Sequence, residues 1–443
     1  KFVLGAILTY LMSFILQINL IVPTFLISLF LFFSSAYRNA NLKDYRFLNL
    51  ILLFVIIFVS GYYIVNHGLL IYYLPFPILP MLSTMLFGEL GISLLLTVAS
   101  SVSLACIAGN HFNLAVLFLI SGLLSSLLTQ EVHRRIGIIR IGFIIGITQA
   151  LSLFLINGFK LSESNNYIIL IVNGIASSII AIGILPIFEY LFKTVTNISL
   201  LELADFNQPL LQRMILEAPG TYHHSLMVGN LSEAACGAVG AKALLARIGS
   251  YYHDIGKLYR PDYFSENQII KESKHDTLSP SMSKMVIMNH VKEGVELAKK
   301  YKLNSRIIDF IKQHHGNSLV YYFYQRALQN VEEDEEVKEE GFRYPWPKPN
   351  TKETAIVLLA DSVEAAVRSL KEPTPENIKE VVHTVINNKF IDGQLDECDL
   401  TLKDMDKISA VFIHLLSGIH HSRVTYPESL KSEPRPSLKN GKK

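Results

Sequence analysis

Between residues 224 and 361 the chain carries His224, the adjacent pair His253-Asp254, His290, the adjacent pair His314-His315, and Asp361. Imidazole nitrogens and carboxylate oxygens are donors suited to Fe, Mn, Zn or Co, and without a thiolate in the set soft-metal and iron–sulfur chemistry falls away. A carboxylate flanked by imidazoles can bridge two ions. Asp254 is the natural bridge, because His253 ties it to one ion while its second oxygen is left for the other. Two divalent ions about 3.5–4 Å apart can clamp the attacking and the leaving oxygen of a phosphoester. Hydrolysis of a phosphodiester is the expected chemistry.

Any one of these histidines alone would pass for a satisfied core residue; the grouping gives the set its meaning. His253-Asp254 closes a helix-like segment and is followed by Ile255-Gly256-Lys257, where glycine permits close backbone approach and lysine offers a cation to a phosphate. His314-His315-Gly316 closes another. Two adjacent imidazoles at a helix end are costly to bury unless something binds them.

The elements that must position these groups are helical. SLMVGNLSEAACGAVG, ALLARIGSYYHDIGKL, MVIMNHVKEGVELAKKY, SRIIDFIKQHH, ETAIVLLADSVEAAVRSL and PENIKEVVHTVINNKF all place apolar residues at i, i+3, i+4 and i+7. Strand-like alternation is nearly absent, so an all-α soluble domain is predicted to about Tyr426. Ahead of it, residues 194–216 read as a coupling linker with a helix break and restart at Asp205-Phe206-Asn207-Gln208-Pro209. The acidic run EEDEEVKEE reads as a solvated loop, the aromatic, Pro-rich GFRYPWPKPN after it as ordered against the domain, and residues 427–443 as a disordered tail.

The rest of the chain has a different character. Half of the 443 residues are hydrophobic and 18% are charged, and the mean hydropathy is +0.33, a profile of a membrane protein with a soluble part. Residues 1–193 hold nine Lys/Arg and five Asp/Glu, leaving 31 and 33 for the remainder. Apolar runs near 2–34, 47–65, 69–88, 90–108, 112–129, 137–157 and 166–192 predict seven spans, or eight if Gln17, Asn19 and Pro23 mark a hairpin in the first. Arg38, Lys43 and Arg46 in one loop and Arg134, Arg135 and Arg140 in another predict cytoplasmic loops, which puts everything after Lys193 in the cytoplasm. Ser, Thr, Asn and Gly within the spans read as helix packing; Glu89 falls at a loop, and no series of buried charges suggests a transport path. Cys106, Cys236 and Cys398 match no zinc or disulfide spacing. The chain opens on Lys1 and runs directly into apolar sequence, which reads as a fragment of a longer protein.

With these motifs in place, the sequence resembles the 7TM-HD family of membrane-bound HD-domain phosphohydrolases, whose members include cyclic di-AMP phosphodiesterases. The stretches that carry the resemblance include APGTYHHSLMVGNLSEAA, ARIGSYYHDIGKLYRPDYFSENQ, IMNHVKEGVELAKKYKL, IIDFIKQHHG, FRYPWPKPNTKETAIVLLADSVEAAVRSL, DGQLDECDLTLKD and SGIHHSRVTYPE. The resemblance implies a polytopic helical membrane domain (1–193), the linker (194–216) and an all-α HD phosphohydrolase domain (217–426), with an extracellular domain upstream of this sequence. It assigns His224, His253, Asp254 and Asp361 to one ion and His290, His314 and His315 to the other, with Asp254 bridging. His224 rather than His223 has the family's spacing to the His-Asp dyad; His223 is expected to pack or support, and Glu217 to close a helix end or support a ligand.

Lys257 is expected beside the metals as the cation for a non-bridging phosphate oxygen, and His275 and Ser281, ahead of the helix carrying His290, as substrate wall. The expected cofactors are two divalent transition-metal ions, Mn or Fe. The expected reaction is metal-dependent hydrolysis of cyclic di-AMP to linear pApA, coupled to a membrane sensor at the bacterial inner membrane. The partners implied are cyclic di-AMP, lipid and an extracellular signal, with homodimerisation left open and no DNA or RNA polymer. Two alternatives stand beside this reading: hydrolysis of cyclic di-GMP, (p)ppGpp or a dNTP, and nucleotide binding without turnover.

Overall fold

The computed structural model describes residues 45–109, 111–130, 132–268, 274–329 and 337–420. The first predicted span, the tail after residue 426 and the acidic stretch 330–336 lie outside the described residues. Among those described there are helices and no strand; Leu319 and Arg343 form one isolated antiparallel bridge. The chain divides into two compact units, one running to Arg213 and including Val295–Asp309, the other made of Met214–Gly294 and the residues from Phe310 on.

In the first unit, α1 (Tyr45–Asn66), α2 (Ile78–Phe87), α3 (Leu90–Ile107), α4 (Phe112–Thr129), α5 (Arg135–Ile156) and α6 (Ser164–Phe192) follow in order. Five of these, all but α2, are long and apolar enough to cross a membrane. The predicted span at 69–88 is not one continuous helix: a single 3-10 turn (Ile71–Tyr73) precedes the ten-residue α2. Pro75 and Pro77 lie between them, and proline neither donates a backbone hydrogen bond nor lets the preceding residue stay helical. At 1.5 Å per residue, α2 covers roughly half of a ~30 Å hydrocarbon core. Asn173 Nδ2 on α6 donates to the Tyr72 and Leu74 carbonyls at 3.0 and 2.9 Å, satisfying backbone groups where the helix is broken.

Small residues do the packing expected of them. A Cβ on Gly174 would stand 2.4 Å from the Gly142 carbonyl oxygen, so glycine lets α5 and α6 approach backbone to backbone. Ser83, Thr84 and Ser126 hydroxyls converge on Ser93 at 2.7–2.8 Å, joining α2, α3 and α4 through buried hydrogen bonds. Beyond α6 come α7 (Asn197–Leu203), capped by the Thr196 hydroxyl, and α8 (Pro209–Glu217). The break between them falls at the Asp205–Gln208 turn, where Asp205 Oδ1 accepts from the Asn207 amide at 2.9 Å.

The second unit contains α9 (Pro219–Ala238), α10 (Ala243–Tyr252), most of α11 (Pro280–Lys300), the end of α12 (Ser305–Gln313), α13 (Tyr321–Gln329), α14 (Lys352–Arg368), α15 (Pro375–Ile391) and α16 (Leu402–Ile419). Its core is α14: Ala355 to Ala360 is an unbroken buried run, packed with Val228, Leu231 and Ala235 of α9 and Val382, Ile408 and Phe412 of α15 and α16. Such a run in a helix means burial on every side. Side-chain caps set the starts of these helices: Thr351 with Thr354 begins α14, Thr374 ahead of Pro375 begins α15, and Thr401 with Asp404 begins α16. Each cap fixes the register, and hence which face turns inward.

A candidate metal centre of seven histidines and aspartates

All seven sequence-predicted ligands meet in the second unit. α9 brings His224, the end of α10 His253 and Asp254, α11 His290, the turn after α12 His314 and His315, and α14 Asp361. Their donor atoms form three overlapping groups, His224/His253/Asp361, His253/Asp254/His314 and His290/His314/His315, within each of which all atoms lie inside 4.8 Å. Two glycines let the backbones close in. A Cβ on Gly256 would lie 1.8 Å from the His290 carbonyl oxygen, and one on Gly249 2.5 Å from the Phe310 ring.

Asp254 divides its two oxygens. Oδ2 faces His253 Nε2 at 3.2 Å and His224 Nε2 at 3.7 Å; Oδ1 faces His290 Nε2 at 3.3 Å and His314 Nε2 at 3.5 Å. Asp361 behaves similarly, with Oδ1 3.0 Å from His224 Nε2 and Oδ2 3.6 Å from His315 Nδ1.

Behind the imidazoles, a second set of bonds chooses the tautomer. His253 Nδ1 donates to the Ser250 carbonyl at 2.6 Å, His290 Nδ1 to the Ile287 carbonyl, His314 Nδ1 to the Ile311 carbonyl at 2.9 Å, and His224 Nδ1 to Glu364 Oε2 at 2.6 Å. With Nδ1–H spent on an acceptor, each Nε2 presents a lone pair to the centre.

That arrangement fits a cation and little else. His290 Nε2 and His314 Nε2 face each other at 3.2 Å with both Nδ1 protons spent elsewhere, and buried His253 Nε2 and Asp254 Oδ1 have no hydrogen-bond partner. Facing lone pairs and buried acceptors without donors are unfavourable until a metal takes them. Burial pushes the His314 imidazole down to about 4, so it is neutral as a ligand must be. Burial acts the same way on His253, but the charges of Asp254 and Asp361 outweigh it and raise it to about 10. Burial favours a neutral Asp254, yet His253 and Lys257 hold its carboxyl well below the usual range.

The remaining expected residues fall as follows. His223 is exposed while His224 beside it is buried, and Glu217 is exposed at the end of α8. Lys257 lies at the centre but between two carboxylates, 2.7 Å from Asp254 Oδ2 and 2.6 Å from Glu266 Oε1. His275 bonds to the Tyr263 carbonyl at 2.9 Å and packs on the rings of Tyr263 and Phe323, while Ser281 is exposed in the first turn of α11. Neither His275 nor Ser281 is among the groups that form the cluster.

Sequence reasoning overlooked Glu364, Glu266 and Tyr344. Glu364 follows Asp361 by three positions on one helix, which puts both carboxylates on one face, so its support of His224 had a sequence signal. Glu266 had none, since it reaches Lys257 from a single 3-10 turn (Ser265–Asn267) outside the periodic helices. Tyr344 stacks on His315 with ring centroids 4.5 Å apart, and Phe342 beside it is buried, so the aromatic stretch after the acidic run is ordered.

A helical unit that gathers His, His-Asp, His, His-His and Asp around a proton-poor centre defines the metal-binding HD class of hydrolase domains. Residues 221–366 match the HD domain family, and residues 7–196 match the family described as 7TM receptor with intracellular HD hydrolase. The chain belongs to the 7TM-HD family of multi-pass membrane proteins with an HD domain.

It is 40% identical to the cyclic-di-AMP phosphodiesterase PgpH of Bacillus subtilis (strain 168) over 429 residues, 93% of this chain and 60% of that protein. It is 38% identical to the protein of the same name from Listeria monocytogenes serotype 1/2a (strain 10403S) over 405 residues, 90% of this chain and 54% of that one. The chain thus spans little more than half the length of these relatives. Among solved structures, it is similar to the L. monocytogenes phosphodiesterase PgpH HD domain in complex with cyclic-di-AMP, with 47% identity, a TM-score of 0.47, and coverage of 48% of this chain and 98% of that one.

Proposed function

We propose that this chain is a binuclear-metal phosphodiesterase that opens cyclic di-AMP to linear pApA, with its HD domain on the cytoplasmic side of a membrane anchor. The observation that carries the reading is the divided carboxylate of Asp254, one oxygen on each histidine group. His224, His253, Asp254 and Asp361 hold one ion, and His290, His314 and His315 the other, with Asp254 shared. The donors suit Mn or Fe. Two divalent ions bound there supply Lewis acidity to the phosphoryl oxygens and an activated water. Glu364, Ser250, Ile287 and Ile311 hold the imidazoles in the tautomer that binding requires, and His253 together with Lys257, itself held by Glu266, keeps Asp254 ionised.

Cyclic di-AMP is preferred because two relatives of 40% and 38% identity bear that activity in their names. The domain plan is a seven-span region over residues 1–193, a coupling linker over 194–216 and the hydrolase over 217–426, with the hydrolase facing the cytoplasm of a bacterial inner membrane. Arg134, Arg135 and Arg140 support that orientation.

The test is a substrate panel on the whole chain in detergent, loaded with Mn or Fe. Cyclic di-AMP is expected to yield pApA faster than cyclic di-GMP or (p)ppGpp is cut. Preference for either of the latter would move the substrate, and tight binding of cyclic di-AMP without cleavage would make the chain a receptor.

A further inference from the structure

Lys257 is engaged by two carboxylates, so a phosphate arriving at the centre would have to share its charge with both. A second cation stands close by. Lys389, in the last turn of α15, donates from Nζ to the Ser318 hydroxyl at 2.8 Å. Ser318 belongs to the turn that presents His315: its amide donates to the His315 carbonyl at 3.1 Å, and its carbonyl accepts from the amide of Tyr344, the residue stacked on His315, at 3.0 Å. The ammonium is therefore anchored to the backbone that aims one member of the His290/His314/His315 group.

The carboxylates around Lys389 are committed elsewhere. Asp392 Oδ1 takes Arg343 Nη2 at 2.7 Å and its Oδ2 takes Gln394 Nε2 at 2.7 Å, while Arg343 is held from the other side by Glu339. Asp361 lies against His224 Nε2 at 3.0 Å, within the histidine–aspartate cluster. Among the described residues no carboxylate lies in ion-pair range of Lys389, and its hydrogen-bond partner is a neutral hydroxyl. Burial pushes its pKa down, and of the charges that oppose this Asp361 acts more strongly than Asp392. A part-buried cation without a counter-ion is costly, and an incoming anion relieves that cost.

We infer that Lys389 is the anion anchor of this centre, pairing with a non-bridging phosphate oxygen of the nucleotide held at the histidine–aspartate cluster. The inference rests on the nucleotide phosphodiesterase reading above and makes Lys389, rather than Lys257, the cation reserved for substrate. Lys257 sets the charge of Asp254; Lys389 meets the phosphate.

The experiment uses the whole chain in detergent, Mn-loaded, as wild type, Lys389→Met and Lys389→Gln. It reads affinity for pApA, KM and kcat for cyclic di-AMP, metal content, and the ligand-free melting temperature. A lost charge-assisted hydrogen bond predicts roughly 10–100-fold weaker pApA binding and a matching rise in KM. Metal content should stay at the wild-type level, and the ligand-free melting temperature should be equal or higher because an unpaired charge is gone. Lys389→Arg should recover part of the affinity. Unchanged pApA affinity in both variants overturns the inference, as does loss of metal in step with affinity, or failure of both variants to fold. If wild-type protein leaves cyclic di-AMP uncut, the phosphodiesterase reading fails, while loss of pApA binding in the variants still upholds the anchor. If wild type cuts it and the variants keep KM, the anchor alone fails.

Discussion

At the scale of single residues, the centre is built from carboxylate oxygens and from imidazoles whose Nδ1 protons are spent on acceptors outside it. Asp254→Asn should remove both ions and activity, since its two oxygens face both histidine groups; elemental analysis of purified protein reads this. His224→Ala should do nearly the same, and His223→Ala should keep its metal. Equal losses in the two histidine variants would mean that the exposed neighbour is the ligand. Glu364→Gln, which weakens the acceptor behind His224 Nδ1, should lower metal affinity about 10–100-fold.

His253 adds a pH dependence. Its imidazole is raised to about 10 in the metal-free protein, so at neutral pH a metal must displace its proton. Affinity should rise with pH up to that range and fall on acidification, with protons released on binding. Calorimetric titration in two buffers of different ionisation heat measures the release, and binding heats independent of buffer would contradict it. The ligand types were readable from the sequence because donor chemistry is local. Glu266 and Lys389 were not: Glu266 meets Lys257 across nine residues that carry no helical periodicity, and Lys389 acquires its role through Ser318, 71 positions away.

At the scale of elements, backbone proximity matters more than side-chain identity. Gly256 lets the start of the 3-10 turn after Asp254 lie against α11 at His290, where a Cβ would be 1.8 Å from a carbonyl oxygen. Gly256→Ala should therefore cost about 1–3 kcal/mol or more of stability and displace His290 from Asp254. Gly237→Ala, on α9 with nothing within 4 Å of its Cβ, should be neutral or stabilising by up to about 1 kcal/mol. Thermal melts with metal analysis separate the two, and comparable melting temperatures would refute the close-approach account. Helices α9 to α12, α14 and α15 were legible from 3.6-residue periodicity, whereas α13 was not among the segments so read. The interruption of the helix within the segment at 69–88 was not legible, because hydropathy counts apolar residues without regard to the prolines between Leu74 and Ile78, and the compensating Asn173 lies about 100 positions away.

At the scale of the whole molecule, among the described residues five helices long and apolar enough to cross a membrane precede a unit that carries the charge and the chemistry. If the loop with Arg134, Arg135 and Arg140 faces the cytoplasm, the HD domain does too. Protease added to intact spheroplasts should then leave residues beyond 194 uncut, and added to opened membranes should digest them; cleavage in intact cells would reverse the orientation. The two-part plan was legible because the solvent for each half is written into its composition. The break at Asp205–Pro209 was legible from turn chemistry, whereas the division of units at Arg213–Met214 depends on packing and has no local signature.

The central claim is that Asp254 joins two ions into one centre. Electron paramagnetic resonance of the Mn-saturated chain tests it most directly, because ions about 3.5–4 Å apart couple magnetically. The predicted result is a spin-coupled pair spectrum at two Mn per chain, lost in Asp254→Asn. An isolated mononuclear Mn signal in the fully active wild type would contradict it.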